Sequence, residues 1–143
     1  MKIQFSAGGI IVHENKVLLC QHSQHHGWVF PKGLMGDHIE GEGKEETALR
    51  EVKEETGAIG KIVKALTPVT YWFVLKEDPS AGSGQVKIRK TVYYFLMDFA
   101  GGDITKHDHE MEDVEWVPIN EVEKRLTYKS DKQVWQVALR ILD

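Results

Sequence analysis

Apolar and polar positions divide this chain into short runs and two longer periodic segments. Ile10-Ile11-Val12 and Val17-Leu18-Leu19-Cys20 are compact apolar runs, and Glu14-Asn15-Lys16 between them reads as a short hairpin turn. Trp28-Val29-Phe30 predicts another short strand, closed by Pro31. Four glycines, Gly33, Gly36, Gly41 and Gly43, then mark a shaped loop. From Lys44 the period lengthens. Ala48, Leu49 and Val52 predict the apolar stripe of a helix, and Gly57 is placed to end it. Two β-rich runs follow, Val69 to Leu75 and Val86 to Phe99. The Gly/Ser-rich linker between them, Asp78 to Gly84, is expected to be a mobile hairpin loop. Glu115-Trp116-Val117-Pro118 predicts a last strand, and Asn120 with Glu123 predicts a capping box on a short helix. Ser130 or Asp131 is expected to start a final helix whose buried side carries Val134, Trp135, Ala138, Leu139, Ile141 and Leu142. Strands, helix, strands, helices, with no repeat, predict the α/β (α+β) class: a mixed sheet with helices on its faces. The 143 residues fit one domain, 1–143.

Composition narrows the setting. A net charge of -4 supplies no global basic field, so no stable nucleic-acid complex is expected, although a local basic patch is left open. The single cysteine, Cys20, has no internal disulfide partner and suggests a reducing compartment. The first apolar run is too short for a secretion signal or a membrane span. A soluble, cytoplasmic protein without a membrane partner is expected. The sequence is silent on oligomeric state.

The helix starting at Lys44 carries an unfavourable charge pattern. Six carboxylates fall within the fourteen residues from Glu42 to Glu55. Glu51 shares a face with Glu54 and Glu55, three and four residues on, and like charges at that spacing cost about 0.2–0.5 kcal/mol per pair. Glu54 and Glu55 also lie in the last turn, where the helix dipole favours cations. A solvated acidic face would account for this, with Lys44, Arg50 and Lys53 as partial compensation. The alternative is a bound divalent cation. An all-oxygen donor set without histidine or thiolate suits Mg²⁺, with Mn²⁺ as a substitute.

The surrounding residues favour the cation. From Gly36 the chain reads GDHIEGEGKEETALREVKEETGA. This resembles the Nudix box, G-x5-E-x7-R-E-U-x-E-E-x-G-U with U apolar, filled by Gly36, Glu42, Arg50, Glu51, Val52, Glu54, Glu55, Gly57 and Ala58. Seven positions demand one residue type each, so a chance match is on the order of one in 10⁸ or rarer. AGGIIV, KVLLC, GWVFPKG, KTVYYFL and VEWVPINEVEKRL extend the resemblance over nearly the whole chain. It implies an α/β/α sandwich around a mixed sheet and Mg²⁺-dependent hydrolysis of a pyrophosphate linked to a nucleoside. It further implies that Glu51, Glu54 and Glu55 are metal ligands and catalytic residues, with the carbonyl near Gly36 as another ligand. Arg50 would orient a glutamate, and Glu42 would tie the loop to the helix. Near the second half of the fold the family often adds a carboxylate. Glu110, Glu112 and Asp113 are the candidates, and Glu110 is preferred. His107-Asp108-His109-Glu110 is read as polar loop, not as a transition-metal site.

Along KTVYYFL, alternation puts Lys90, Val92, Tyr94 and Leu96 on one face and Thr91, Tyr93, Phe95 and Met97 on the other. With FPKG and LTYKSDKQVWQVALRIL, this pattern resembles the asymmetric diadenosine tetraphosphate hydrolases. That subgroup implies that Lys32 and Lys90 meet phosphates and that Tyr94 stacks on a base. Leu34 stands where the subgroup places a histidine, and His38, from the longer loop, is the candidate substitute. The expected partner is a small nucleotide, with diadenosine tetraphosphate first. A nucleoside triphosphate, a nucleotide sugar and the 5′ pyrophosphate of RNA stay open, as does a non-catalytic nucleotide-binding role.

Overall fold

In the computed structural model, which describes residues 1–36, 40–76 and 84–142, the first hairpin forms from β1 (Lys2–His13) and β2 (Lys16–His22). Glu14 and Asn15 make the turn with φ of 49° and 63°, the geometry whose twist suits a two-residue hairpin. Lys16, expected in the turn, is already in β2 and pairs with His13. β3 (Trp28–Val29) pairs with β2. After Phe30 and Pro31 comes a three-residue strand the sequence pattern did not announce: β4 (Lys32–Leu34) pairs with Ser6, Ala7 and Gly8 of β1.

Helix α1 (Lys44–Thr56) follows. Fully burying Val52 contributes about 1.5–3 kcal/mol, more than any like-charge pair on the helix costs. The apolar stripe is narrower than expected, because Leu49 is exposed while Ala48, Glu51, Val52 and Glu55 turn inward. Gly57 ends the helix at φ 80°, donating its N–H to the Lys53 carbonyl. A Cβ there would sit 2.0 Å from the Asp103 carbonyl oxygen, so glycine is required on two counts.

β5 (Ala58–Ala65), β6 (Val69–Lys76), β7 (Gln85–Gly102) and β8 (Met111–Pro118) complete the sheet. β5 escaped the sequence reading because only its first residue is buried and its ladder with β7 has two register shifts. The eight strands of the described residues run in the order β3-β2-β1-β7-β5, with β4 on β1, β6 on β7 and β8 on β2. β1 and β7 are parallel and the other pairs antiparallel, so the sheet is mixed as expected.

The alternation read in β7 holds. Phe95 and Met97 pack with Ala48 and Val52 under α1. Val92, Tyr94 and Leu96 pack on the other face with Val134, Trp135 and Ala138 of α3 (Lys129–Leu142). Leu139, Ile141 and Leu142 are half-buried against that cluster. These layers, helix on sheet on helix, are the sandwich the sequence implied. The capping box does not form. Asn120 lies within a 3-10 turn, Ile119–Glu121, ahead of α2 (Val122–Arg125), and Glu123 accepts a hydrogen bond from Gln136. Asp78 to Ser83 of the expected mobile loop lies outside the described residues. Among the described residues no helix is long and apolar enough to cross a membrane.

Candidate active site

Two of the α1 carboxylates are buried, Glu51 at 5% exposure and Glu55 at 3%. β4 is what seats them. The Lys32 N–H donates to Glu55 Oε1 at 3.1 Å. Gly33 leaves room for Glu51, since a Cβ at position 33 would lie 2.1 Å from its carboxyl carbon. Arg50 braces the group from the side. Its Nε and Nη2 each donate to Glu42 at 2.8 Å, and its Nη1 donates to Glu51 at 2.9 Å and Glu54 at 3.2 Å. The Thr47 hydroxyl donates to Glu42 at 2.7 Å, so Glu42 links the loop to the first turn of the helix.

Glu110 reaches the same place from the loop between β7 and β8. That loop is clamped to the end of α1: the Asp103 and Asp108 N–H groups donate to the Gly57 and Glu54 carbonyls at 3.0 and 2.9 Å. The Ser23 N–H donates to the Glu110 carbonyl at 2.9 Å. Of the three candidate carboxylates, Glu110 lines the cavity. Glu112 pairs with His26, and the Asp113 carboxylate accepts the Val114 N–H.

The cavity measures about 1090 Å³ and brings together Glu51, Glu54, Glu55, Glu110, Lys32 and Lys90. Burial pushes the Glu55 carboxyl well above its usual range, and the charge of Glu110 adds to this. Burial also raises Glu51, against the opposing hydrogen bond from Arg50. Lys90 is lowered to about 8 by burial and then by Lys32. Burial works against the Lys32 charge, yet the Asp131 and Glu55 carboxylates outweigh it and raise the group. The site thus holds two ammonium groups and several carboxylates in a partly dry cleft. Glu51, Glu55 and Lys90 are displaced toward their neutral forms and Lys32 is stabilised by its neighbours, a pattern common at functional sites.

Some expectations did not survive. Tyr94 is 3% exposed and packs edge-on against Phe30, and its hydroxyl donates to Asp131 at 3.0 Å. It is therefore a core residue, closed to a stacking base. Tyr71, half-buried, is the tyrosine that reaches the cavity: it pairs with Lys90 across the β6–β7 ladder and lines the cavity with Phe73. Gly36 lines a separate, smaller hollow with Ile3 and Phe5. The chain continues along β1 after β4, with the Met35 N–H donating to the Phe5 carbonyl at 2.9 Å. His38 lies outside the described residues.

Sequence reasoning also missed a second aromatic wall. The rings of His22 and His25 stack at 4.2 Å and 7°, and the Tyr128 ring meets His25 edge-on at 5.4 Å. All three line the cavity. The Gly27 N–H donates to His25 Nδ1 at 3.0 Å, and burial lowers this imidazole. The β6 alternation could have revealed Tyr71 and Phe73. Nothing local in HSQHH points to a wall, because Tyr128 joins it from about a hundred residues away.

The donor set fits a hard divalent cation. It is all oxygen, two of its carboxylates, Glu51 and Glu55, are buried, and Gly33 leaves the Glu51 carboxylate its room. Among the described residues no three carboxylate, imidazole or thiolate groups already converge on one point, because Arg50 holds Glu51 and Glu54. The site is a braced set of carboxylates, not a finished cage.

Residues 2–136 match the NUDIX domain family. Over 117 residues, 81% of this chain, the sequence is 42% identical to a Mycobacterium tuberculosis (strain CDC 1551 / Oshkosh) protein named mutator protein MutT4, of which it covers 42%. Over 119 residues, 83% of this chain, it is 28% identical to the 8-oxo-(d)GTP phosphatase of Mycolicibacterium smegmatis (strain ATCC 700084 / mc(2)155), of which it covers 32%. The chain thus spans well under half the length of either relative. The fold superposes on the crystal structure of a C. elegans Ap4A hydrolase binary complex with a TM-score of 0.64 at 23% identity, covering 97% of each chain.

Proposed function

This chain belongs to the Nudix hydrolase family, and we propose that it hydrolyses a phosphoric anhydride bond of a nucleoside polyphosphate with Mg²⁺, or Mn²⁺, held by Glu51, Glu54, Glu55 and Glu110. The observation that carries this reading is the pair of buried carboxylates, Glu51 and Glu55, facing a cavity that also holds Lys32 and Lys90. When bound, the cation would neutralise phosphate oxygens and lower the pKa of a water molecule. Arg50 keeps Glu51 and Glu54 in place without facing substrate. The raised proton affinity of Glu51 and Glu55 suits one of them to accept the proton of the attacking water. Lys32 and Lys90 supply positive charge to the phosphates, a role that calls for positioning rather than covalent chemistry.

For the substrate, the first reading is a dinucleoside polyphosphate such as diadenosine tetraphosphate, split asymmetrically to AMP and ATP. Strand order supports it. Across the sheet lie His22 at the end of β2, Lys32 in β4, Lys90 in β7 and Tyr71 in β6. An aromatic wall therefore stands on each side of the two ammonium groups, and each wall can stack one base. The second reading is a single, oxidised nucleoside triphosphate. It is favoured by the name of the M. smegmatis relative, an 8-oxo-(d)GTP phosphatase. Steady-state hydrolysis of diadenosine tetraphosphate, 8-oxo-dGTP, dGTP and ADP-ribose in Mg²⁺, with product identification, separates them. The first reading requires the dinucleotide to have the highest kcat/KM and to give AMP plus ATP. A faster 8-oxo-dGTP reaction replaces it with the second, and inertness toward all four removes both substrate readings.

A further inference from the structure

Among the described residues, the sheet face under α1 is not covered to its end. Beyond the first turn of the helix, the N-terminal half of β1, the start of β7 and the edge strand β6 carry exposed side chains. Trp72 is 51% and Phe5 46% exposed. Register places Trp72 beside Arg89 and Ile3 in one row and Val74 beside Lys87 in the next.

Cations and rings are interleaved on this face. Lys87 Nζ lies 4.8 Å from the centre of the Trp72 ring, and the Arg89 guanidinium lies 6.0 Å from it. Phe5 stacks on Tyr93 at 6.3 Å and 23°, and Lys44 Nζ sits 4.8 Å over the Tyr93 ring. A chain of this length is expected to hold about two such cation–ring contacts. Here two centre on Trp72 and a third, Lys44 of α1 over Tyr93, lies at the margin of the same face, and the described parts of β6, the start of β7 and residues 2–5 of β1 contain no carboxylate.

The charges select the occupant. A second copy packed on this face about a two-fold axis would bring two Lys87–Arg89 pairs into one interface, and like charges gathered there are unfavourable. The partner must therefore be anionic. An acidic peptide answers the cations and leaves Trp72 and Phe5 unmatched. A single strand of nucleic acid answers both, with phosphates for Lys87 and Arg89 and unpaired bases for the two rings. We propose that this face, centred on Trp72, Phe5, Lys87 and Arg89, binds single-stranded nucleic acid. It lies on the side of β6 and β7 opposite Tyr71 and Lys90, so it stands independently of the proposed hydrolysis. The overall charge of -4 limits the interaction to this patch and makes it sensitive to salt.

Fluorescence anisotropy with labelled oligouridylate and oligothymidylate, in EDTA at low salt, tests the proposal. Binding of either oligonucleotide is expected, with a log–log salt slope of roughly -2 if about three phosphates are neutralised. Trp72→Ala and the double variant Lys87→Glu/Arg89→Glu should each weaken it at least about tenfold, by loss of stacking and of charge respectively. Hydrolysis of the preferred nucleotide should be unchanged in both variants, which also reports that they fold. No anisotropy change up to about 100 µM protein, the weak end of non-specific affinity, overturns the proposal. So does undiminished binding by the variants. Equal competition by oligoglutamate would assign the face to an acidic peptide, and self-association without oligonucleotide binding would assign it to a second copy. Either result also overturns it.

Discussion

Lys90 is placed where it lowers stability, and replacing it with methionine should show by how much. Its ammonium is largely buried and faces a second one, Lys32. Together these lower its pKa from 10.5 to about 8. That displacement corresponds to about 3 kcal/mol of disfavoured charge at neutral pH. Methionine keeps the length of the side chain and removes the charge. Lys90→Met should therefore raise the unfolding free energy at pH 7 by up to about 3 kcal/mol, read by urea denaturation in EDTA. The same variant should lose about 10- to 150-fold in kcat/KM, the worth of a charged hydrogen bond of about 1.5–3 kcal/mol.

The sign of the pH dependence is fixed by the same displacement. Between pH 8 and 10.5 the unfolded chain keeps a proton on Lys90 that the folded chain has released. Wild-type stability should rise with pH across that window relative to Lys90→Met, so the advantage of the variant shrinks. A variant less stable than wild type at pH 7, or a difference that stays constant from pH 7 to 10, would refute the reasoning.

Other substitutions separate the remaining roles. Glu54→Gln should lower kcat by at least ~10²-fold in Mg²⁺, while Glu45→Gln, on the exposed side of α1, changes little; equal rates for both would remove the ligand assignment. Saturating Mg²⁺ should stabilise the protein, by about 2.7 kcal/mol at 100 times its dissociation constant, and a melting temperature identical in Mg²⁺ and EDTA would contradict the site. Gly33→Ala forces a Cβ into the space of the Glu51 carboxylate; it should cost about 1–3 kcal/mol of stability through overpacking and abolish most turnover, whereas a silent Gly33→Ala would mean that Glu51 works from elsewhere. Tyr71→Ala should raise KM by a stacking increment of ~1–3 kcal/mol. Tyr94→Phe should leave KM unchanged and lower stability by about 1–3 kcal/mol, because the Asp131 carboxylate loses its donor.

What the sequence disclosed depended on how local the signal was. The cluster of Glu51, Glu54 and Glu55 was legible because it lies on one helix, and spacing along a helix is spacing in space. The same locality hid what seats them. Glu51 and Glu55 are buried because Gly33 and the Lys32 N–H meet them from β4, a three-residue strand with no periodicity to find. Alternation along β7 sorted Tyr94 from Tyr93 correctly and still gave the wrong role to Tyr94. A face is a direction, and whether that direction leads to core or cavity depends on α3, which lays Trp135 near Phe30 and Asp131 against the Tyr94 hydroxyl. Lys90, four residues earlier on the same face, escapes that cover and reaches the cavity. The substrate question rests on this difference. With Tyr94 closed off, a base on the Lys90 side must meet Tyr71 or Phe73, and a base on the far side must meet His25 or Tyr128. A mononucleotide needs one of these walls and a dinucleotide needs both. Loss of one wall should therefore spare a single-base substrate that uses the other, while a two-base substrate suffers from the loss of either.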